Sequence, residues 1–138
     1  MLKDCRVFTT LPVTDPARAR AFYAEKLGLT PTPPDGDFYE CGQGTRFVIS
    51  LMSAKPAGHT QMGFVVDDVA AVVKQLRSKG VVFEEYDWPT LKTVESVADN
   101  GDLKSAWFKD SEGNMIAIMQ PVDETVRVAV GAAATSRR

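Results

Sequence analysis

The pattern running from Val13 to Gly28 returns 52 residues further on, with Val13 matched by Val65, Asp15 by Asp67 or its neighbour Asp68, and Gly28 by Gly80. A repeat of this size constrains the fold more than any other property of the chain, because each copy is one supersecondary unit that cannot bury its apolar face alone. In the first copy, Arg6 to Thr14 (RVFTTLPVT) is β-branched and apolar and reads as a strand. Asp15 then stands as a helix cap, and Pro16 occupies the first helical position, where its missing N–H costs nothing. Ala19, Phe22, Tyr23 and Leu27 share one helical face, and Gly28 stops the helix. A turn-rich TPTPPDGD follows, and then two short strands, Phe38 to Cys41 and Arg46 to Met52, on either side of the Gly42–Gly44 turn.

The second copy repeats the plan. Gln61 to Val66 reads as a strand, the aspartate pair caps a helix, and Val69, Val72, Val73 and Leu76 form its apolar stripe before Gly80. Val81 to Tyr86 reads as the next strand, and a hairpin runs from Ala106 to Gln120, its Asp110–Asn114 turn carrying Gly113 where a left-handed residue is wanted. Each copy is thus a strand–helix–strand–strand–strand unit. The class is α+β, two tandem βαβββ modules with mixed, mostly antiparallel sheets. A lone unit leaves one sheet face uncovered by its single helix, and pairing two units encloses that face, where a small ligand would sit.

The boundaries follow from the repeat. One domain is expected over 1–122, with modules at about 4–54 and 58–121. The tail 123–138 ends in GAAATSRR, has little to bury, and is expected to be disordered at its end. Trp88 to Leu103 is longer than a connection needs, contains Pro89 and the Asn100–Gly101 pair, and reads as a flap.

Composition narrows the function classes. Sixteen Lys and Arg against eighteen Asp and Glu leave a net charge of −2, without the basic footprint of a nucleic-acid binder. No apolar run approaches a bilayer span, and MLKDCRVF has no signal-peptide core, so a cytoplasmic protein without a membrane partner is expected. Cys5 and Cys41 have no framework or CxxC spacing and are expected to be small buried apolar residues. With His59 as the single histidine, any site needing two His ligands from one chain is excluded.

Three segments, LPVTDPARARAFYAEKLGL (Leu11 to Leu29), GFVVDDVAAVVKQLRSKGV (Gly63 to Val81) and AWFKDSEGNMIAIMQ (Ala106 to Gln120), resemble the vicinal oxygen chelate superfamily, the group of glyoxalase I, bleomycin-resistance proteins and extradiol dioxygenases. The resemblance runs from about Cys5 to Pro121. It implies U-shaped sheets built from paired modules and usually a homodimer. Metal-dependent members take ligands from four strand positions, which fall here on Phe8, Ser50, Gln61 and Ala117. Phe and Ala carry no donor, and the neutral oxygens of Ser50 and Gln61 cannot hold zinc, nickel or iron unaided, so neither a metal nor another cofactor is expected. His59, two residues before Gln61, reads as a partly solvated loop-end histidine.

Strand alternation then gives the concave face, with those four positions as anchors. Arg6, Thr10, Val48, Met52, Gly63, Met115 and Met119 share it. Trp88, at the start of the flap, and Trp107, on the hairpin, are candidates for stacking on a ligand, and Tyr39 and Tyr86 for hydrogen bonding to one. The candidate binding set is therefore Phe8, Thr10, Ser50 and Met52 from the first module, with Gln61, Trp88, Trp107, Ala117 and Met119 from the second. Glu84 and Glu85 point to opposite faces, so at most one faces inward, and no catalytic constellation is visible. The reading is a metal-independent small-molecule binding protein that sequesters a hydrophobic or aromatic compound. A glyoxalase- or dioxygenase-like enzyme with a metal-free or non-standard site is the alternative. A dimeric scaffold module would instead have its concavities filled by side chains.

Overall fold

A computed structural model of the protein describes residues 1–33, 36–51, 56 and 58–122. The first copy of the repeat gives β1 (Phe8–Val13), α1 (Pro16–Leu27), β2 (Phe38–Cys41) and β3 (Thr45–Leu51). The second gives β4 (Thr60–Val65), α2 (Val69–Ser78), the short strands β5 (Asp87–Trp88), β6 (Leu91–Lys92) and β7 (Ala98–Asp99), and the hairpin β8 (Leu103–Lys109) and β9 (Met115–Pro121). One sheet has the order β1-β3-β2 and another the order β4-β9-β8-β7, while β5 and β6 pair by themselves. In both main sheets the first strand of the copy lies parallel to its last, β1 to β3 and β4 to β9, and the remaining pairs are antiparallel. The duplication read from the sequence is therefore a duplication of topology.

The copies differ where local chemistry departs from the repeat. Residues 29–33 and 36–37 form no strand, and Pro31 and Pro33 there have no N–H to give to a ladder. The expected strand from Val81 to Tyr86 is reduced to a single bridge between Phe83 and Phe108, with Glu84 N–H reaching the Trp107 carbonyl at 2.8 Å. The reason lies in Glu85. Its carboxylate accepts hydrogen bonds from Thr93 Oγ1, the Ser96 amide and Ser96 Oγ, and it pairs with Arg77 at 3.4 Å. Those bonds pull the chain into the β5–β6 hairpin, so β7 takes the outer place against β8. The flap is thus a held structure: Glu95 and Ser96 sit at φ 50 and 71, an unfavourable region for side chains, and the buried Ser96 also bonds Arg77. The Ser96 and Thr93 hydroxyls hold the Glu85 carboxyl below its ordinary value.

Both helices begin on an aspartate. Asp15 accepts from Arg18 N and Asp68 from Ala71 N, each at 3.1 Å, so Asp68 is the cap of the second pair. Gly28 closes α1 at φ 70, where any L side chain would be strained. Helix α1 sets Tyr23 against Tyr39 and Phe47, which stack on each other at 4.7 Å. Helix α2 places Val69, Val73 and Leu76 in the same core as Ala106, Phe108, Ile116 and Ile118. Phe22 approaches Phe108 at 6.4 Å, and the buried residues of both copies form one continuous core.

Polar bonds lock the copies together at the β8–β9 turn. Glu112 accepts from the amides of Thr14 and Asp15 and pairs with Arg18 at 2.7 Å. Tyr23 donates its hydroxyl to Asp110 at 2.7 Å, and Asn114 donates to the Pro12 carbonyl at 3.0 Å. Cys41 is half-buried, and burial pushes its thiol up, but Cys5 is exposed against expectation because it precedes β1 in a segment with no strand partner.

Candidate functional site: the helix-free faces

Each main sheet is covered by a helix on one side, and the other side carries the candidate residues. On the second sheet the register places Gly63 opposite Ala117 and Ala117 opposite Trp107, with Val65, Met119 and Ser105 in the row beside them. Met119 lies across Gly63: a Cβ added there would stand 2.5 Å from the Met119 terminal methyl. The missing side chain thus makes room for a flexible one, and Met119 forms part of the surface. Ala117 is only 1% exposed and contributes floor, not wall.

The wall is aromatic. Trp107 donates its indole N–H to Thr60 Oγ1 at 3.1 Å, which fixes the ring over β9, from β8 to the edge strand β4. Tyr86 meets Trp107 edge-on at 5.6 Å, and Trp88 meets Tyr86 at 4.8 Å with 49° between planes. Trp88 is 54% exposed, and Tyr86 and Trp107 are half-buried. Of the two tyrosines read as hydrogen-bonding candidates, Tyr39 is buried in the helix-side core and Tyr86 joins this wall; the signal for its side is its parity with Phe83. Phe83 belongs to the helix-side core and bridges Phe108, so alternation turns Glu84 and Tyr86 to the helix-free face. Glu85 goes to the helix side, where it meets Arg77. Burial first, and then the Glu84 charge, raise the Tyr86 hydroxyl above its ordinary value.

Gln61 sits in the bulge between Thr60 and Met62, with its Oε1 buried and no hydrogen-bond partner among the described residues. A bulge re-aims the side chain it carries, so simple alternation from Gly63 does not fix its direction. His59 is exposed and donates Nδ1–H to the Thr60 carbonyl at 2.9 Å.

On the first sheet the corresponding face carries Phe8, Thr10 and Pro12 beside Arg46, Val48 and Ser50. Phe8 is 54% exposed and meets Phe38 edge-on at 5.9 Å, and Arg46 pairs with Glu40 at 2.9 Å. Phe8 is opposite Arg46, whereas Ser50 is opposite Pro12. The two share a face but stand four rungs apart, roughly 13 Å of strand. Thr10 lies between their levels, opposite Val48. Met52 lies outside the described residues. The structure therefore brings together Trp88, Trp107, Ala117 and Met119, and separately Phe8 and Thr10.

The four positions that would hold a metal carry a phenyl ring, a hydroxyl, an amide and a methyl, a set that does not fit a divalent ion. Among the described residues, no three His, Cys, Asp or Glu side chains converge as ligands. A groove of about 820 Å³ opens elsewhere, on the helix side of the second sheet. It runs between α2 and the 94–99 segment, over Val69, Val73, Val94 and Val97, with Lys74, Arg77, Asp99 and Lys104 on its walls. Its far wall depends on the backbone of Glu95 and Ser96, which no periodicity announces. The described residues also include no helix long and apolar enough to cross a membrane.

Solved structures share this architecture. A glyoxalase/bleomycin resistance protein/dioxygenase from Alicyclobacillus acidocaldarius is 17% identical, with 88% of this chain and 95% of that one covered, at a TM-score of 0.64. A member of the same superfamily from Sphaerobacter thermophilus is 21% identical over 87% and 99% of the two chains, TM-score 0.60. TnmS3, an antibiotic binding protein from a Streptomyces species, is 23% identical over 88% and 98%, TM-score 0.59. No curated protein sequence matches the chain. The family model described as Glyoxalase/Bleomycin resistance protein/Dioxygenase superfamily matches residues 7–118. With its topology, its duplicated module and most of its length in agreement, the chain belongs to the glyoxalase/bleomycin resistance/dioxygenase superfamily.

Proposed function

We propose that this chain binds a small, largely apolar or aromatic molecule on the helix-free faces of its sheets, and that it does so without a metal. The observation that carries the reading is the Trp107–Tyr86–Trp88 group, which turns aromatic surface to solvent beside Met119 where core packing does not require it. Similarity to an antibiotic-binding relative supports the same reading, as do the four donor-poor strand positions. Covering roughly 250 Å² of apolar surface at about 25 cal/mol per Å² yields about 6 kcal/mol before association losses, which fits micromolar binding once hydrogen bonds fix orientation. The binding unit in this proposal is a homodimer, in which a second copy covers the open edges and the exposed Phe8, Phe38 and Val65.

The test is a titration of tryptophan fluorescence with a panel of planar aromatic natural products. At least one member is expected to give a saturable change at micromolar concentration. Trp107→Leu is expected to weaken that binding at least tenfold, and Gln61→Ala to weaken it with little change in Tm. A panel without a single saturable response sinks the reading. Elemental analysis of protein purified without chelators is expected to give well under one metal per chain; one tightly held ion with His59 as a ligand would overturn metal independence.

A further inference from the structure

We propose that the aromatic group on the second sheet selects an organic cation, a protonated or quaternary amine carried on the bound molecule, with Glu84 as its counter-charge. The inference rests on the small-molecule reading above and adds the chemical class of the ligand.

Three observations converge on it. Tyr86, Trp88 and Trp107 are set at 49° and 75° to one another, so faces and edges of three rings point in different directions around one patch and do not stack into a flat slab. Ring faces carry negative potential, and a patch of differently oriented rings presents several of them to one ligand. Glu84 stands on the same face, opposite Trp107 in the Phe83–Phe108 pairing and close enough for its charge to act on the Tyr86 hydroxyl. It is half-buried, and among the described residues it forms no ion pair. Its neighbour Glu85 is fully committed to Ser96, Thr93 and Arg77 on the other side. A half-buried carboxylate beside aromatic faces, with no paired cation among the described residues, is half of a recognition pair.

Among the described residues, the cationic side chain that shares the strand parity of this patch is Lys109, two residues beyond Trp107 on β8, while the imidazole of His59 lies just before β4 and bonds the Thr60 carbonyl. Lys109 is exposed and makes no ion pair with Glu84 within 4 Å. If Lys109 governed the patch, the preferred ligand would be an anion, and the experiment has an arm for that outcome.

The full chain is titrated, by tryptophan fluorescence and by calorimetry, with benzyltrimethylammonium, with its neutral isostere 2,2-dimethylpropylbenzene, and with the anion 3-phenylpropionate. The cation is expected to bind about tenfold more tightly than the isostere, with the anion weakest. Glu84→Gln should reduce the cation's advantage to about threefold or less while leaving the isostere unchanged and the Tm within a degree or two. Trp107→Leu should weaken cation and isostere alike. Equal binding of cation and isostere overturns the cation assignment while leaving the apolar-binding reading intact. Preference for the anion overturns it in favour of Lys109. Failure of all three probes overturns it as well, and a simultaneous failure of the natural-product panel removes the small-molecule reading with it.

Discussion

Tyr23 and Tyr39 are both fully buried, lie 5.6 Å apart between ring centres, and differ in one bond. The Tyr23 hydroxyl donates to Asp110, and burial together with that carboxylate pushes its ionisation far up. The Tyr39 hydroxyl is buried without a partner among the described residues. The two should therefore respond in opposite ways to the same change. Tyr23→Phe removes a charge-assisted bond and should cost about 2 kcal/mol. Tyr39→Phe removes a desolvated orphan and should be neutral or stabilising, within about 0.5 kcal/mol of wild type. Urea denaturation of both variants decides the matter, and a Tyr39→Phe variant as damaged as Tyr23→Phe would mean that the hydroxyl has a partner. At this scale the sequence is legible as apolar positions: Tyr23 stands out on the α1 stripe by spacing alone. Its bond does not, because Asp110 is 87 residues away and nothing local in either segment points to the other.

The β8–β9 turn shows the same limit one level up. Asp110, Gly113 and Asn114 are readable as a hairpin turn, and Gly113 does adopt φ 87. What spacing does not disclose is that Glu112, in the middle of that turn, serves as an outside cap for the start of α1. Its side chain is 1% exposed, it pairs with Arg18 and accepts from Thr14 and Asp15, and those contacts lower its carboxyl to about 2, with Arg18 the largest cause. A folded-state value depressed below the unfolded one stabilises the protein at pH above the unfolded value near 4.5, and the contribution is lost as pH falls from there through about 2. Glu112→Gln should cost about 2 kcal/mol at neutral pH, allowing for solvent around the half-exposed Arg18. It should also flatten the loss of stability between pH 5 and pH 2, measured as urea midpoints across that range. Parallel pH profiles for wild type and variant would contradict the assignment. The β5–β6 hairpin was likewise legible as a long, turn-rich segment but not as a fixed element, since its anchor is the side chain of Glu85 and not a backbone pattern.

For the whole molecule, the repeat was the most readable feature, because duplication preserves apolar period and capping residues even when surfaces diverge. Alternation also grouped Met119, Ala117 and Gly63 on one face, as the register has them. It could not set levels along the strands, which depend on the β1–β3 register, so Phe8 and Ser50 share a side without sharing a row. Nor could it pass through the bulge at Gln61. Among the described residues no further strand pairs with the outer edges of β1, β2 and β4, and large apolar side chains flank them at Val7, Phe8 and Phe38. The proposed homodimer should therefore appear in sedimentation equilibrium at micromolar concentration as a species of twice the 15.1 kDa chain mass. A single monomeric species would refute it.

The bonds of the β8–β9 turn also order events during synthesis. Tyr23 waits for a residue 87 positions later, Thr14 for one 98 later, and Pro12 for one 102 later. A ribosome therefore releases the whole first module before any of the groups that finish it exist. Until Asn114 has emerged, the start of α1 lacks its outer cap, the Tyr23 phenol lacks its acceptor, and the Pro12 carbonyl lacks its donor. The first half therefore gains these bonds late and together, when the hairpin of the second copy closes over it.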